Sequence, residues 1–205
     1  MAPCGLDDIP LASRLVGRWR WDPVALAKSH SAASRLGAGL LARFRRGHFV
    51  DSSRAARVLK TCLLRPLSPS LQQRLQPEAK RMELWFTTMG LAGRSDWAGI
   101  PASLWWYRIG ELRRAEDCAS ASVQDESKDS GRYATLRLIH AMASFRNGHP
   151  EEARHQLVLG KAAVQNAFLE WSTFSKGTAT KGYWYDWVFA EILLGEAEQV
   201  ISCSN

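Results

Sequence analysis

The residues most able to do chemistry lie together at His149-Pro-Glu-Glu-Ala-Arg-His155, where two imidazoles flank Glu151 and Glu152. Two histidines around a glutamate can hold zinc and activate water in the order HExxH, because positions i and i+4 share one helix face. Here the histidines are six residues apart and do not share that face, so zinc binding is not expected. Gly37-Ala-Gly39 is a fragment of a dinucleotide loop with no strand before it. Ser172 and Lys176 have the wrong spacing for an SxxK pair. His140 falls on an apolar stripe, where a hydrogen-bonded core histidine is the expectation. No nucleophile, base and orienting group can be assembled. The chain is therefore read as non-catalytic, with no cofactor and no metal.

These residues belong to a stretch, Tyr133 to Val164, that reads as two helices folded back on each other. Leu136, Ile139, His140 and Ala143 make one helical stripe. Asn147-Gly148 is turn chemistry, because glycine takes the positive φ that ends a helix. Pro150 suits a first helical turn, where its missing N–H costs nothing. Glu151 and Glu152 then place negative charge at the positive end of the new helix dipole. Ala153, Leu157, Gly160 and Val164 form the inner stripe of the second helix. Such a hairpin cannot bury its apolar face alone, which predicts further copies. One lies at Ser103–Ala121, where Gly110 and Ala115 repeat Gly148 and Ala153 after 38 residues. That interval exceeds the ~34-residue tetratricopeptide period, and the polar run from Gln124 to Gly131 can absorb the excess.

A chain of 205 residues with 46% apolar content can bury one good core, as a single domain or a short solenoid. Cys4, Cys62, Cys118 and Cys203 are far apart and form no CxxC pair, so buried free thiols in a reducing compartment are expected. Asp7 and Asp8 stand where a signal peptide would be apolar, and no apolar run approaches membrane-spanning length. A cytoplasmic location with no membrane contact is the expectation. The net charge of +7 is concentrated. Between Arg14 and Arg65 twelve Lys or Arg face only Asp22 and Asp51. That segment, with Arg43, Arg45, Arg46, Arg54 and Arg57 as its candidate patch, supplies an alternative function, nucleic-acid binding through phosphate contacts. The plainer reading is a solvated helix face whose arginine stems cover apolar surface.

Along the chain, residues 1–22 read as a poorly ordered extension, and 23–205 as one helical repeat domain. Asp22-Pro23 starts a helix, and Ser31 to Arg46 continues as helix. Asp51 or Ser52 caps the next, whose face is Ala55, Val58, Leu59 and Cys62. These helices are read as a first hairpin from Ser31 to Leu64. A helix from Pro77 carries Met82, Trp85, Phe86 and Met89 at i, i+3, i+4 and i+7. Gly90 to Pro101 reads as loop, and the pattern loosens between Gln165 and Lys181. The last helix has Trp187, Ala190, Leu194, Ala197 and Ile201 on one stripe. Nowhere does two-residue alternation persist, so no sheet is expected.

Three stretches carry a family likeness: ARFRRGHFVDSSRAARVLKTCLLRP, HAMASFRNGHPEEAR and YDWVFAEILLGEAEQVI. The arrangement resembles the tetratricopeptide-like C-terminal region of large bacterial Ser/Thr protein kinases and related multidomain regulators. The likeness spans about residues 31 to 202. The catalytic motifs of a kinase, HRD, DFG and the glycine-rich loop, have no counterpart in the chain. The resemblance implies an all-α, right-handed solenoid of antiparallel hairpins with a C-terminal capping helix, serving as a freestanding or detached protein–protein interaction and scaffolding module. It also implies that the first helix of each hairpin lines a concave face. Leu104, Tyr107 and Arg108, with Met142, Phe145 and Arg146, would then point into a groove for another protein or peptide. An aromatic beside an arginine, twice over, suits a peptide with apolar anchors and a carboxylate.

Overall fold

Gly110 and Gly148 have φ of +87° and +86°, a region open to glycine and closed to most side chains. At the first corner, Gly110 N–H donates to the Tyr107 carbonyl at 3.2 Å and Glu111 N–H to the Trp106 carbonyl at 2.9 Å. At the second, Gly148 N–H donates to Phe145 at 3.1 Å and His149 N–H to Ser144 at 2.8 Å. This double closure satisfies carbonyls that a helix end leaves without partners. The helix that follows starts alike in both places, with Ala115 N–H on Glu111 and Ala153 N–H on His149, each at 3.0 Å. The two corners are one piece of local structure used twice.

The computed structural model describes residues 52–88, 96–124, 130–169 and 184–202. They form seven helices and, among the described residues, no strand: α1 (Ser52–Leu63), α2 (Pro69–Thr88), α3 (Asp96–Ile109), α4 (Leu112–Val123), α5 (Gly131–Arg146), α6 (Pro150–Leu169) and α7 (Trp184–Ser202). Consecutive helices pair as α1 with α2, α3 with α4 and α5 with α6. The odd-numbered helices pack on one another in chain order, and α2, α4 and α6 each touch the odd helix that follows. No helix among the described residues is long and apolar enough to cross a membrane.

α5 lies at the centre, against α3, α4, α6 and α7. Almost every side chain from Tyr133 to Ser144 is buried, including the expected stripe of Leu136, Ile139, His140 and Ala143. Ser130 caps this helix by accepting from Tyr133 N–H at 3.0 Å. α6 comes close enough that a Cβ on Gly160 would lie 2.9 Å from Leu138 Cγ. Trp105, Trp106 and Trp187 are buried packing residues, and the α7 stripe from Trp187 to Ile201 is buried throughout. Cys62 and Cys118 are buried free thiols, and burial pushes the Cys62 thiol up to about 11.

Some sequence-based boundaries move. α2 begins at Pro69, eight residues before the expected Pro77, which sits inside it. The Gln73 carbonyl that Pro77 leaves without a donor is on an exposed residue, so water can satisfy it. Part of the expected loop from Gly90 to Pro101 is helical, since α3 starts at Asp96 and includes Pro101. Of the expected first hairpin, Ser31 to Leu64, only the second helix, α1, is described, and it packs against α2 and α3. Residues 1–51, including the expected extension, Asp22-Pro23 and the helix Ser31–Arg46, lie outside the described residues.

Two ion pairs join the early helices to the last. Lys60 on α1 reaches Asp186 on α7 at 2.5 Å, both nearly cut off from water, with the ammonium 4.5 Å over the Phe189 ring. Arg108 on α3 grips Glu196 on α7 through both guanidinium nitrogens, Nη2 at 2.7 Å from Oε2, while Nε donates to the Leu63 carbonyl at 2.8 Å.

Replacing Gly110 or Gly148 by alanine should cost about 1 kcal/mol each. The two losses should match in urea unfolding; a clear inequality would show that the corners are not equivalent. Asp186→Ala removes the carboxylate that faces a buried ammonium and should cost roughly 3–5 kcal/mol, most of which the Lys60→Met, Asp186→Leu pair should recover. Chemical denaturation of the three variants checks this.

Candidate functional site

The six residues expected in a partner groove lie mainly inside the molecule. Leu104 and Met142 are fully buried, and Tyr107 is buried. Arg108 is committed to Glu196 and the Leu63 carbonyl. Phe145 is half-buried, and Arg146 alone of the six is exposed. The structure does bring Tyr107, Arg108 and Arg146 together, with the two guanidinium carbons 5.3 Å and 5.1 Å from the Tyr107 ring centre. Burial, then Glu196, pushes the Tyr107 hydroxyl above its ordinary value, against the pull of the two arginines. On this side α7 packs against α5 and α6, and its Glu196 pairs with Arg108 of α3. Arg43, Arg45 and Arg46 lie outside the described residues; Arg54 and Arg57 are on α1, but their side chains are not described.

A different cleft, of about 650 Å³, opens where the α5–α6 corner meets α4. Arg113, Glu116, Asp117 and Ser120 come from α4, His140 and Asn147 from α5 and its end, and His149 and Glu152 from the corner and the start of α6. The Gly148 corner folds Asn147 and His149 back over α4, and the α5 stripe turns His140 toward the same place.

Glu116 is the hub. Its Oε1 accepts from Ser144 Oγ at 2.8 Å and faces His149 Nδ1 at 3.1 Å, and its Oε2 accepts from Asn147 Nδ2 at 2.9 Å. Burial alone would raise this carboxyl, but the hydrogen bonds from Asn147, Ser144 and His149 prevail and hold it below the usual carboxylate value. Glu152 is oriented from the other side: Gln156 Nε2 donates to its Oε1 at 2.6 Å, and Arg137 Nη1 donates to Gln156 Oε1 at 2.6 Å.

His140 stands between the two carboxylates. Its Nε2 is 3.9 Å from Glu116 Oε1 and 3.9 Å from Glu152 Oε1, beyond hydrogen-bond reach. Its Nδ1 is buried without a partner. The expectation of a hydrogen-bonded core histidine is therefore corrected: the residue is in the core, but the facing acceptors stop one atom short. Burial holds the imidazole below its ordinary value, against Glu152, Glu116 and Asp117 and with Arg137.

Chemically, this is a preorganised set of acceptors. Ser144 donates to Glu116 and not to an imidazole, so the serine–histidine–carboxylate order that activates a nucleophile is not built here. Among the described residues no group of three or more His, Cys, Asp or Glu is arranged to hold a metal ion. The sequence singled out His149, Glu152 and His140 but missed Glu116, Asp117 and Arg113. Glu116 meets its partners across 28 to 33 residues, a distance at which spacing carries no signal.

Because the folded state disfavours the His140 proton, the unfolded chain binds more protons below about pH 6.5. Stability should fall as pH drops from 6.5 toward the depressed folded value. His140→Leu should flatten that part of the profile, and urea midpoints of both proteins at pH 7 and pH 5 test it.

Compared with known proteins, the chain gives no match to a family model, to a curated protein or to a solved structure.

Proposed function

We propose that this chain is a non-catalytic protein–protein interaction and scaffolding module, a tetratricopeptide-like stack of helical hairpins ending in a capping helix, of the kind found in the C-terminal region of large bacterial kinases and working in the cytoplasm. The observation that carries the reading is the repeated corner at Gly110 and Gly148, with the same hydrogen bonds and the same small residues, Ala115 and Ala153, fully buried after it. Repeat modules of this class pack each hairpin on its neighbours and leave surfaces that bind other proteins. The order of packing, in which each pair touches the next through its odd helix, agrees with such a stack. The Lys60–Asp186 pair also joins the first and third of the stretches that carry the resemblance.

The binding surface is assigned to the cleft between α4 and the α5–α6 corner, since the face across α3, α5 and α7 is closed by the molecule's own side chains. Asp117 is exposed and Glu152 half-buried, so both can be changed with little disturbance of the core. Immobilised wild-type chain should retain a polypeptide from its native cell that the Asp117→Lys, Glu152→Lys double variant loses at least tenfold, with unchanged helical circular dichroism. Equal retention by the two baits would overturn the assignment.

A further inference from the structure

His140 is the part of the cleft that the fold leaves incomplete. The residue is only 6% exposed, yet its ring makes no hydrogen bond and its Nδ1 is buried without a partner. Its Nε2 faces two carboxylate oxygens, each at 3.9 Å. A donor placed between Nε2 and Glu152 Oε1 can reach both at about 2.8 Å, an ordinary length for a charge-assisted N–H···O bond. Resting on the interaction reading above, we propose that the cleft receives the primary ammonium of a lysine side chain from the partner polypeptide, held by Glu152 and His140 Nε2 in the negative field of Glu116 and Asp117.

The choice of cation follows from which acceptor sites are still open. Three carboxylates, Glu116, Asp117 and Glu152, line the cleft against the single guanidinium of Arg113, so the local field favours a cation although the whole chain is basic. A guanidinium prefers a two-pronged grip on one carboxylate. Both oxygens of Glu116 are already engaged by Ser144, His149 and Asn147, and one oxygen of Glu152 by Gln156, so neither carboxylate has a free edge. An ammonium is compact and can donate to single acceptor atoms on separate side chains, here Glu152 Oε1 and His140 Nε2. The imidazole must accept, which requires the neutral ring that burial favours. Glu152 is fixed in advance through the Arg137–Gln156 chain, so little ordering is required on binding. Asp117 adds charge beside them.

The test uses the full chain and nuclear magnetic resonance of the His140 ring, titrated with N-acetyl-lysine methylamide, its norleucine and arginine counterparts, cadaverine, and the peptide Gly-Lys-Gly. The lysine amide should shift the His140 resonances saturably. Norleucine should not, and arginine should bind at least tenfold more weakly. Glu152→Gln, and separately Asp117→Asn, should weaken lysine binding while leaving the thermal midpoint in place, Glu152→Gln by at least tenfold. No saturable shift, or an equal response to norleucine or arginine, overturns the lysine site. Cadaverine binding as tightly as Gly-Lys-Gly overturns the polypeptide source in favour of a free amine. Failure here with successful partner capture leaves the interaction reading standing, whereas lysine binding without capture removes that reading alone.

Discussion

Lys60 and Asp186 are separated by 126 residues and are both nearly excluded from water, so each buried charge is offset by the other beside it. A lone charge in that position would carry a desolvation cost comparable to the stability of a small domain. The start of α7 must therefore dock at the end of α1, whatever else the chain does. Arg108 and Glu196 impose the same condition one stack further along, with the Leu63 carbonyl as a third participant. Apolar burial drives the helices together but does not say in which order. These two pairs supply a register that grease alone lacks.

That closure shapes what the molecule can offer to others. With α7 held across α3 and α5, the aromatic and arginine side chains on those helices satisfy one another. Tyr107 lies under two guanidinium groups, and Glu196 neutralises one of them. The open chemistry lies elsewhere, where the α5–α6 corner meets α4. There the hairpin turn is both architecture and site. The same positive-φ glycine that reverses the chain at Gly148 brings Asn147 and His149 over Glu116.

The polar cleft has an unequal internal balance. Glu116 is saturated with donors, Glu152 is fixed from behind, and His140 between them is left with no donor or acceptor of its own. Buried polar groups are usually paired, and this network departs from that rule at His140 Nδ1 and at Arg137 Nε.

Local chemistry in the sequence determined the helices and their ends. The Gly110 and Gly148 corners, the small-residue seam around Gly160, the α7 stripe and the buried thiols were all legible, because each depends on residues within one or two turns of each other. Pro77 and Pro101 misled for the same reason: one reads locally as a helix start and the other as a stop, yet both sit inside longer helices. What only the tertiary structure decided is which charges meet. Lys60 looked like one more member of a basic segment, Arg108 like a hand for a ligand, and Glu116 gave no signal at all. Electrostatic pairing acts through space over a few ångströms, and the chain distance between partners, from 28 residues for Ser144 and Glu116 to 126 for Lys60 and Asp186, has no periodicity from which it could be read.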